Sequence, residues 1–166
     1  YKKSETELKN YSEQIYSLVS NSVDSTINNY LNGMIDATDN RIEVYHALYK
    51  KGKMTREEFI NKVIEISKEI KVGSSGYAFV IDSTGKYISH PKEEGVNAGG
   101  RAYISEMLKN KNGIISYISP NKDLKGNGEK TTVYKNYELA GITLGIGAYK
   151  SEILKMVDKK AIEKKI

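Results

Sequence analysis

Residues 6–49 contain no proline and repeat an apolar side chain at steps of mostly three, four or seven: Leu8, Tyr11, Ile15, Leu18, Val23, Ile27, Tyr30, Met34, Ile42 and Tyr45. This is the stripe of one continuous helix. At ~1.5 Å per residue the helix spans roughly 60 Å, more than the width of a compact domain of this size. Part of it must project from the rest of the chain or lie against another chain. We assign residues 1–50 to this long helix or stalk.

Lys50, Lys51, Gly52 and Lys53 give it a basic last turn and a glycine stop. Thr55 and Glu58 then have the spacing of a capping box. Phe59, Val63, Ile64, Ile66 and Ile70 continue at helical spacing, which predicts a second helix over 54–72 that stops near Gly73. From Gly76 the pattern becomes β-prone. Five short strands are predicted, at 76–82, 86–90, 113–119, 130–137 and 142–149, with a loop at 91–100, a short helix at 101–110 and a polar turn at 120–129. Residues 150–166 read as a terminal helix. Strands joined by short turns pair antiparallel. The expected fold class is α+β in one domain spanning 1–166, with helices packed on one face of a small sheet formed by 76–149.

Composition narrows the function classes. The chain has 166 residues, 39% hydrophobic and 28% charged, as expected of a globular domain. It has no cysteine, which excludes a disulfide framework and a thiolate metal site. Its net charge is +5, but lysines and glutamates are interspersed, so nucleic-acid binding is not expected. There is no run of ~18 apolar residues of the kind that crosses a membrane. Residue 1 is Tyr rather than Met, so we expect a fragment of a longer protein.

No HExxH, CxxC, GxSxG or P-loop pattern occurs, and the two histidines, His46 and His90, assemble no nucleophile–base pair. We expect no enzyme, no cofactor and no metal. Asp36 and Asp39 read as a solvated helix face.

The informative run is GYAFVIDSTGKYISHP, residues 76–91. Gly76-Tyr77, Phe79, Asp82, Gly85 and His90-Pro91 come first; Gly100, Gly113 to Tyr117, Lys130, and Gly147 to Tyr149 follow in order. This set resembles the single Cache domain, the extracellular sensor module of bacterial chemoreceptors and some sensor kinases. One feature departs from that pattern: the closing strand has Ile142 or Leu144 where the family commonly has tryptophan. The resemblance implies a PAS-like sheet with a small pocket on one face, roofed by the loop and short helix after His90. It also implies a ligand such as a short carboxylate or an amino acid.

The residues carry their own argument for an anion. A buried anion needs fixed donors and a positive charge. Arg101, the only arginine in the sensing half, has a fork that matches a carboxylate. Tyr103 and Tyr117 offer hydroxyl donors beside apolar rings. Lys130 starts a strand, and His90 can donate or accept. With Phe79 and Tyr149 of the motif strands, these are the candidate ligand-binding residues. Each has a structural alternative. Arg101 can be a solvated helix start, the tyrosines core or rim, Lys130 a strand flank, and His90 a loop anchor. Gly147 reads as a close-packing position.

The expected function is an extracytoplasmic ligand sensor on the outer side of the cell membrane, part of a transmembrane chemoreceptor whose spans lie outside this sequence. A histidine-kinase sensor and a structural or protein-interaction stalk are the alternatives. The expected partners are a small organic acid or amino-acid-like ligand and a second copy along the first helix. Asn21, Asn28, Asn29 and Asn32 dilute that seam, so the dimer is expected to be weak. The tail from Lys150 has six lysines against three acids, which suits a lipid surface.

Overall fold

The computed structural model describes residues 5–119 and 128–165, with side chains described for 24–119 and 128–157. Helix α1 runs over Glu5–Lys50 and α2 over Arg56–Lys68. Strands β1 (Lys71–Val72), β2 (Gly76–Asp82) and β3 (Tyr87–Ser89) precede α3 (Ala102–Asn110). Then come β4 (Gly113–Ile118), β5 (Glu129–Tyr137), a 3-10 turn (Glu138–Ala140), β6 (Ile142–Tyr149) and α4 (Lys150–Lys165).

The capping box at the start of α2 is formed. The Glu58 backbone N–H donates to Thr55 Oγ1 at 3.1 Å, and the Thr55 N–H donates to Glu58 Oε1 at 3.2 Å. The helix ends four residues before the expected bound. Ser67 Oγ donates back to the Ile64 carbonyl, and the Glu69 and Ile70 N–H groups close tight turns onto Ile66 and Ser67. Gly73, at φ +62°, then reverses the chain, so Lys71 and Val72 pair with Tyr77 and Gly76. The sheet therefore has six strands rather than five, the extra one being two residues long.

The path of the sheet is β1-β2-β6-β5-β4, with β3 also on the edge of β2. All pairings are antiparallel. Strand β6 lies between β2 and β5, so chain running from β3 at one edge to β4 at the other must cross a face of the sheet. That crossover is the loop after β3 and α3. It roofs one face, while α1 and α2 cover the other.

The two faces differ because side chains alternate along a strand. Ala78, Val80, Val133, Tyr137, Ile142, Leu144, Ile146 and Ala148 pack into the helix-side core with Phe59 and Val63 of α2. From α1 this core takes Ile27, Leu31, Ile35 and Ile42. Ile27 and Ile42 are buried as expected, whereas between them Leu31 and Ile35 fill the core in place of the expected Tyr30 and Met34, which are only partly buried. Stripe positions from Leu8 to Val23 lie outside the residues whose side chains are described. A second cluster, Phe79, Ile81, Tyr87, Ile104, Met107 and Tyr134, holds the roof to the opposite face.

Asp39 is not the solvated acid expected. It accepts from Lys135 Nζ at 2.6 Å and Tyr137 Oη at 2.7 Å, pinning α1 to β5. Glu129, expected in a polar turn, is a buried residue of β5. Of that turn, residues 120–127 lie outside the described residues.

On the roofed face, β6 carries two glycines where bulk is forbidden. A methyl group at Gly145 would lie 2.3 Å from the Phe79 ring, and one at Gly147 would lie 2.3 Å from Thr132 Oγ1. Close packing accounts for both. Gly33, by contrast, is mid-helix and exposed on α1, with nothing within 4 Å of a methyl placed there. Gly145→Ala is expected to destabilise by about 1–3 kcal/mol through overpacking, whereas Gly33→Ala stabilises by up to about 1 kcal/mol. Chemical denaturation of the two variants gives shifts of opposite sign if this placement is right.

Candidate functional site

The roofed face is not filled. A cavity of about 370 Å³ lies between the sheet and the loop that follows β3. Strand alternation brings Tyr77 and Phe79 of β2, Tyr117 of β4 and Lys130 of β5 to its floor and walls. The crossover supplies His90, Glu93, Arg101 and Tyr103. Six of the seven expected residues therefore line one cavity: Phe79, His90, Arg101, Tyr103, Tyr117 and Lys130. The seventh, Tyr149, sits behind Lys130, whose Nζ lies 4.8 Å from the centre of its ring.

Lys130 is buried, with its ammonium between two rings, Tyr77 and Tyr149, at 4.8 Å each. Its hydrogen bond to a protein group goes to Tyr77 Oη at 3.4 Å. Among the described residues no carboxylate forms an ion pair with it. Burial, and then Lys92, pull its pKa below the usual lysine value. Cation–π contact offsets part of the desolvation, but among the described residues no full counter-charge is present.

Arg101 precedes α3 as its N-cap residue, and its side chain, 31% exposed, turns to the cavity wall. Its two terminal nitrogens donate to Glu93 Oε1 at 2.8 Å and Oε2 at 2.9 Å, a bidentate pair. It also donates to Tyr103 Oη at 3.2 Å. The fork thus already holds a carboxylate, supplied by the protein. The guanidinium keeps the Glu93 carboxyl below its ordinary pKa.

His90 anchors the loop and lines the cavity. Its Nδ1 accepts the backbone N–H groups of Lys92 at 3.0 Å and Glu93 at 2.9 Å, which anchors the loop. Two donors on Nδ1 force the tautomer with hydrogen on Nε2. That Nε2–H stands 3.8 Å from Glu93 Oε2, beyond hydrogen-bond reach, and the ring lines the cavity. Burial drives the His90 pKa down to about 4, so the ring is neutral near pH 7.

Tyr103 and Tyr117 stack face to face, with ring centres 3.9 Å apart. Tyr117 Oη is bonded to Thr132 Oγ1 at 2.9 Å. Burial pushes the Tyr77 pKa up to about 12, so its phenol stays protonated. Tyr77 was legible as a neighbour of Phe79 on the same face of β2, two residues away, but the sequence reading passed over it. Tyr87, Lys92 and Ser119 also line the cavity and were missed. Glu93 is an acid in a polar loop, and no periodicity marks it.

Outside the cavity, Lys150 Nζ donates to Asp24 Oδ1 of α1 at 2.7 Å and Glu129 Oε1 of β5 at 2.8 Å. Burial lowers the Lys150 pKa, and the two carboxylates more than offset this, leaving it raised. Among the described residues no group of three or more metal-ligating side chains occurs, and no helix is long and apolar enough to cross a membrane.

The His90 anchor has a pH consequence. The unfolded histidine titrates near 6.5 and the folded one at about 4. Between these values the unfolded chain binds a proton that the folded chain refuses, so stability falls as pH drops from 6.5 to 4. The fall attributable to this residue is about 3 kcal/mol. Urea unfolding of wild type and His90→Gln at pH 7 and pH 4 isolates it. The gap in stability between the two proteins should shrink by that amount in acid, and a gap independent of pH would refute the assignment.

The Cache 3/Cache 2 fusion domain matches residues 53–162. The chemotaxis receptor McpB of Bacillus subtilis is 28% identical over 102 residues, which are 61% of this chain and 14% of that receptor. The chain thus spans a small part of the relative it matches. A solved periplasmic sensor domain of a chemotaxis protein gives a TM-score of 0.63 at 17% identity, covering 75% of this chain and 96% of that one. A Cache chemosensory domain solved to explain carboxylic acid recognition gives 0.59 at 22% identity, covering 82% and 97%. At these identities the likeness establishes the fold alone. The family match covers more than half of the sequence, and this chain belongs to the Cache family of sensor domains.

Proposed function

We propose that this chain is the extracytoplasmic sensor of a transmembrane chemoreceptor and binds a small carboxylate in the roofed cavity. The observation that carries the reading is Lys130: a buried ammonium without a carboxylate partner among the described residues. A buried charge is costly unless it is compensated, and an anionic ligand supplies the compensation. The neutral His90 adds an Nε2–H donor beside the same Tyr77 ring, 4.8 Å from ring centre to ring centre. A cavity of about 370 Å³ has ample room for acetate, propionate or pyruvate. The solved Cache domain described for carboxylic acid recognition supports the same class. A filled space behind residues 91–100 would have favoured a stalk without a ligand; a cavity stands there instead.

In this proposal the protein signals rather than catalyses. Lys130 pairs in register with Tyr149, and their chain neighbours Glu129 and Lys150 join Asp24 of α1. Ligand binding at Lys130 then biases the contact between the terminal helices in proportion to its differential affinity for their two arrangements. The proposal includes membrane spans outside this sequence and a homodimer along α1. Val44 and Leu48, 63% and 37% exposed one turn apart, supply an apolar strip for the second copy.

The test is calorimetry with acetate, propionate and pyruvate on wild type and Lys130→Met, which keeps the apolar stem and removes the charge. At least one acid should bind the wild type, and the variant should lose at least about tenfold in affinity, the loss of one charge-assisted contact. Binding of no acid, or equal binding by the variant, would overturn the reading.

A further inference from the structure

We infer that Glu93 is a specificity-determining residue that restricts the cavity to ligands with one carboxylate. The inference rests on the carboxylate reading above and goes beyond it by fixing the ligand's charge.

Of the three cationic side chains that line the cavity, Lys92 is exposed, and the other two stand in opposite conditions. Lys130 has no carboxylate partner among the described residues. Arg101 has its fork filled by Glu93 through bonds of 2.8 and 2.9 Å, the arrangement a ligand carboxylate would adopt. Glu93 is held in that position by the backbone. Its own N–H and that of Lys92 bond to His90 Nδ1, and the Gly95 N–H returns to the Tyr87 carbonyl at 2.8 Å. The carboxylate therefore belongs to the built wall of the cavity rather than to a wandering surface side chain.

Counting charge gives the consequence. Arg101 and Glu93 cancel, His90 is neutral because Nδ1 accepts two N–H bonds, and burial keeps Tyr77, Tyr87 and Tyr117 protonated. Lys130 leaves one buried positive charge for the ligand to balance; Lys92 also lines the cavity and adds a second, but it is exposed and its charge is screened by solvent. A monocarboxylate balances the buried charge. A dicarboxylate would place its second group against Glu93, and like charges brought together cost several kcal/mol. Specificity of this kind comes from a repulsive group as much as from an attractive one.

Glu93→Gln keeps the shape of the side chain and removes its charge, which leaves the Arg101 fork open to a second carboxylate. Calorimetry with propionate and succinate on wild type, Glu93→Gln and Glu93→Gln/Arg101→Gln tests the inference. Wild type should prefer propionate. In Glu93→Gln the ratio of succinate to propionate affinity should rise at least about tenfold, as for one charge pair. In the double variant the ratio should return toward that of wild type, since the gain requires Arg101. Glu93→Ala is run alongside and must move the ratio in the same direction, which guards against a folding defect peculiar to one substitution. An unchanged ratio in a wild type that binds propionate overturns the inference and leaves the carboxylate reading intact. Binding of neither acid by any of the proteins overturns both.

Discussion

The structure depends on β6 having two unlike sides. Every residue of Ile142–Tyr149 is buried, so both faces of the strand are covered. Ile142, Leu144, Ile146 and Ala148 go to the helix-side core. At about 1.5–3 kcal/mol for each fully buried large aliphatic side chain, this face holds α1 and α2 to the sheet. Thr143, Gly145 and Gly147 on the other face contribute almost no volume. The Phe79 ring and Thr132 take the space that side chains at the two glycines would occupy. Bulk on one side secures the fold, and its absence on the other lets neighbouring strands bring aromatic and polar side chains over the sheet. The cavity follows from that asymmetry.

The same strand ends at the junction between cavity and helices. Tyr149 faces Lys130 across the β5–β6 pair, on the cavity side. The next residue is Lys150, the first of α4, and it faces the other way, onto Asp24 and Glu129. Glu129 in turn adjoins Lys130. Two lysines of opposite orientation therefore share one corner of the sheet. One is neutralised by two carboxylates and ties α4 to α1. The other faces the cavity with aromatic rings around it. A displacement of the β5 terminus reaches both, because each is within one residue of the other's partner.

Much of this was legible in the sequence, and the physical reason is local. Strands β2 and β6 appear at the expected residues because β-branched and aromatic runs are bounded by glycine and by Asp82. The capping box at Thr55 was readable because both partners lie within four residues. The cavity residues were readable through strand alternation and through the family pattern after Gly76. What escaped depends on contacts distant in sequence. Asp24 and Lys150 are 126 residues apart, and Asp39 meets Lys135 and Tyr137 at separations of 96 and 98. No spacing rule connects such positions. Strand β1 escaped because two residues are too few to show a period. On α1 the expected Ile27 and Ile42 are buried, but Leu31 and Ile35 take the core positions expected for Tyr30 and Met34, which pack at its margin.

Arg101 and Lys130 show why side-chain type alone did not settle the site. Both read as anion binders, and for the arginine that reading was chemically sound: it does bind a carboxylate. The carboxylate is Glu93, eight residues earlier, in a loop whose position is set by His90. Once that pair forms, the guanidinium is compensated, and its fork offers a new anion nothing unless Glu93 withdraws. Lysine has no fork and a longer, more flexible stem. Here the stem is buried and the ammonium held between Tyr77 and Tyr149, which compensates it in part. Among the described residues Lys130 therefore remains a buried charge without a carboxylate partner, carried by the packing of the opposite face of the sheet. Local cost accepted where the rest of the fold is self-consistent is the usual mark of a functional position.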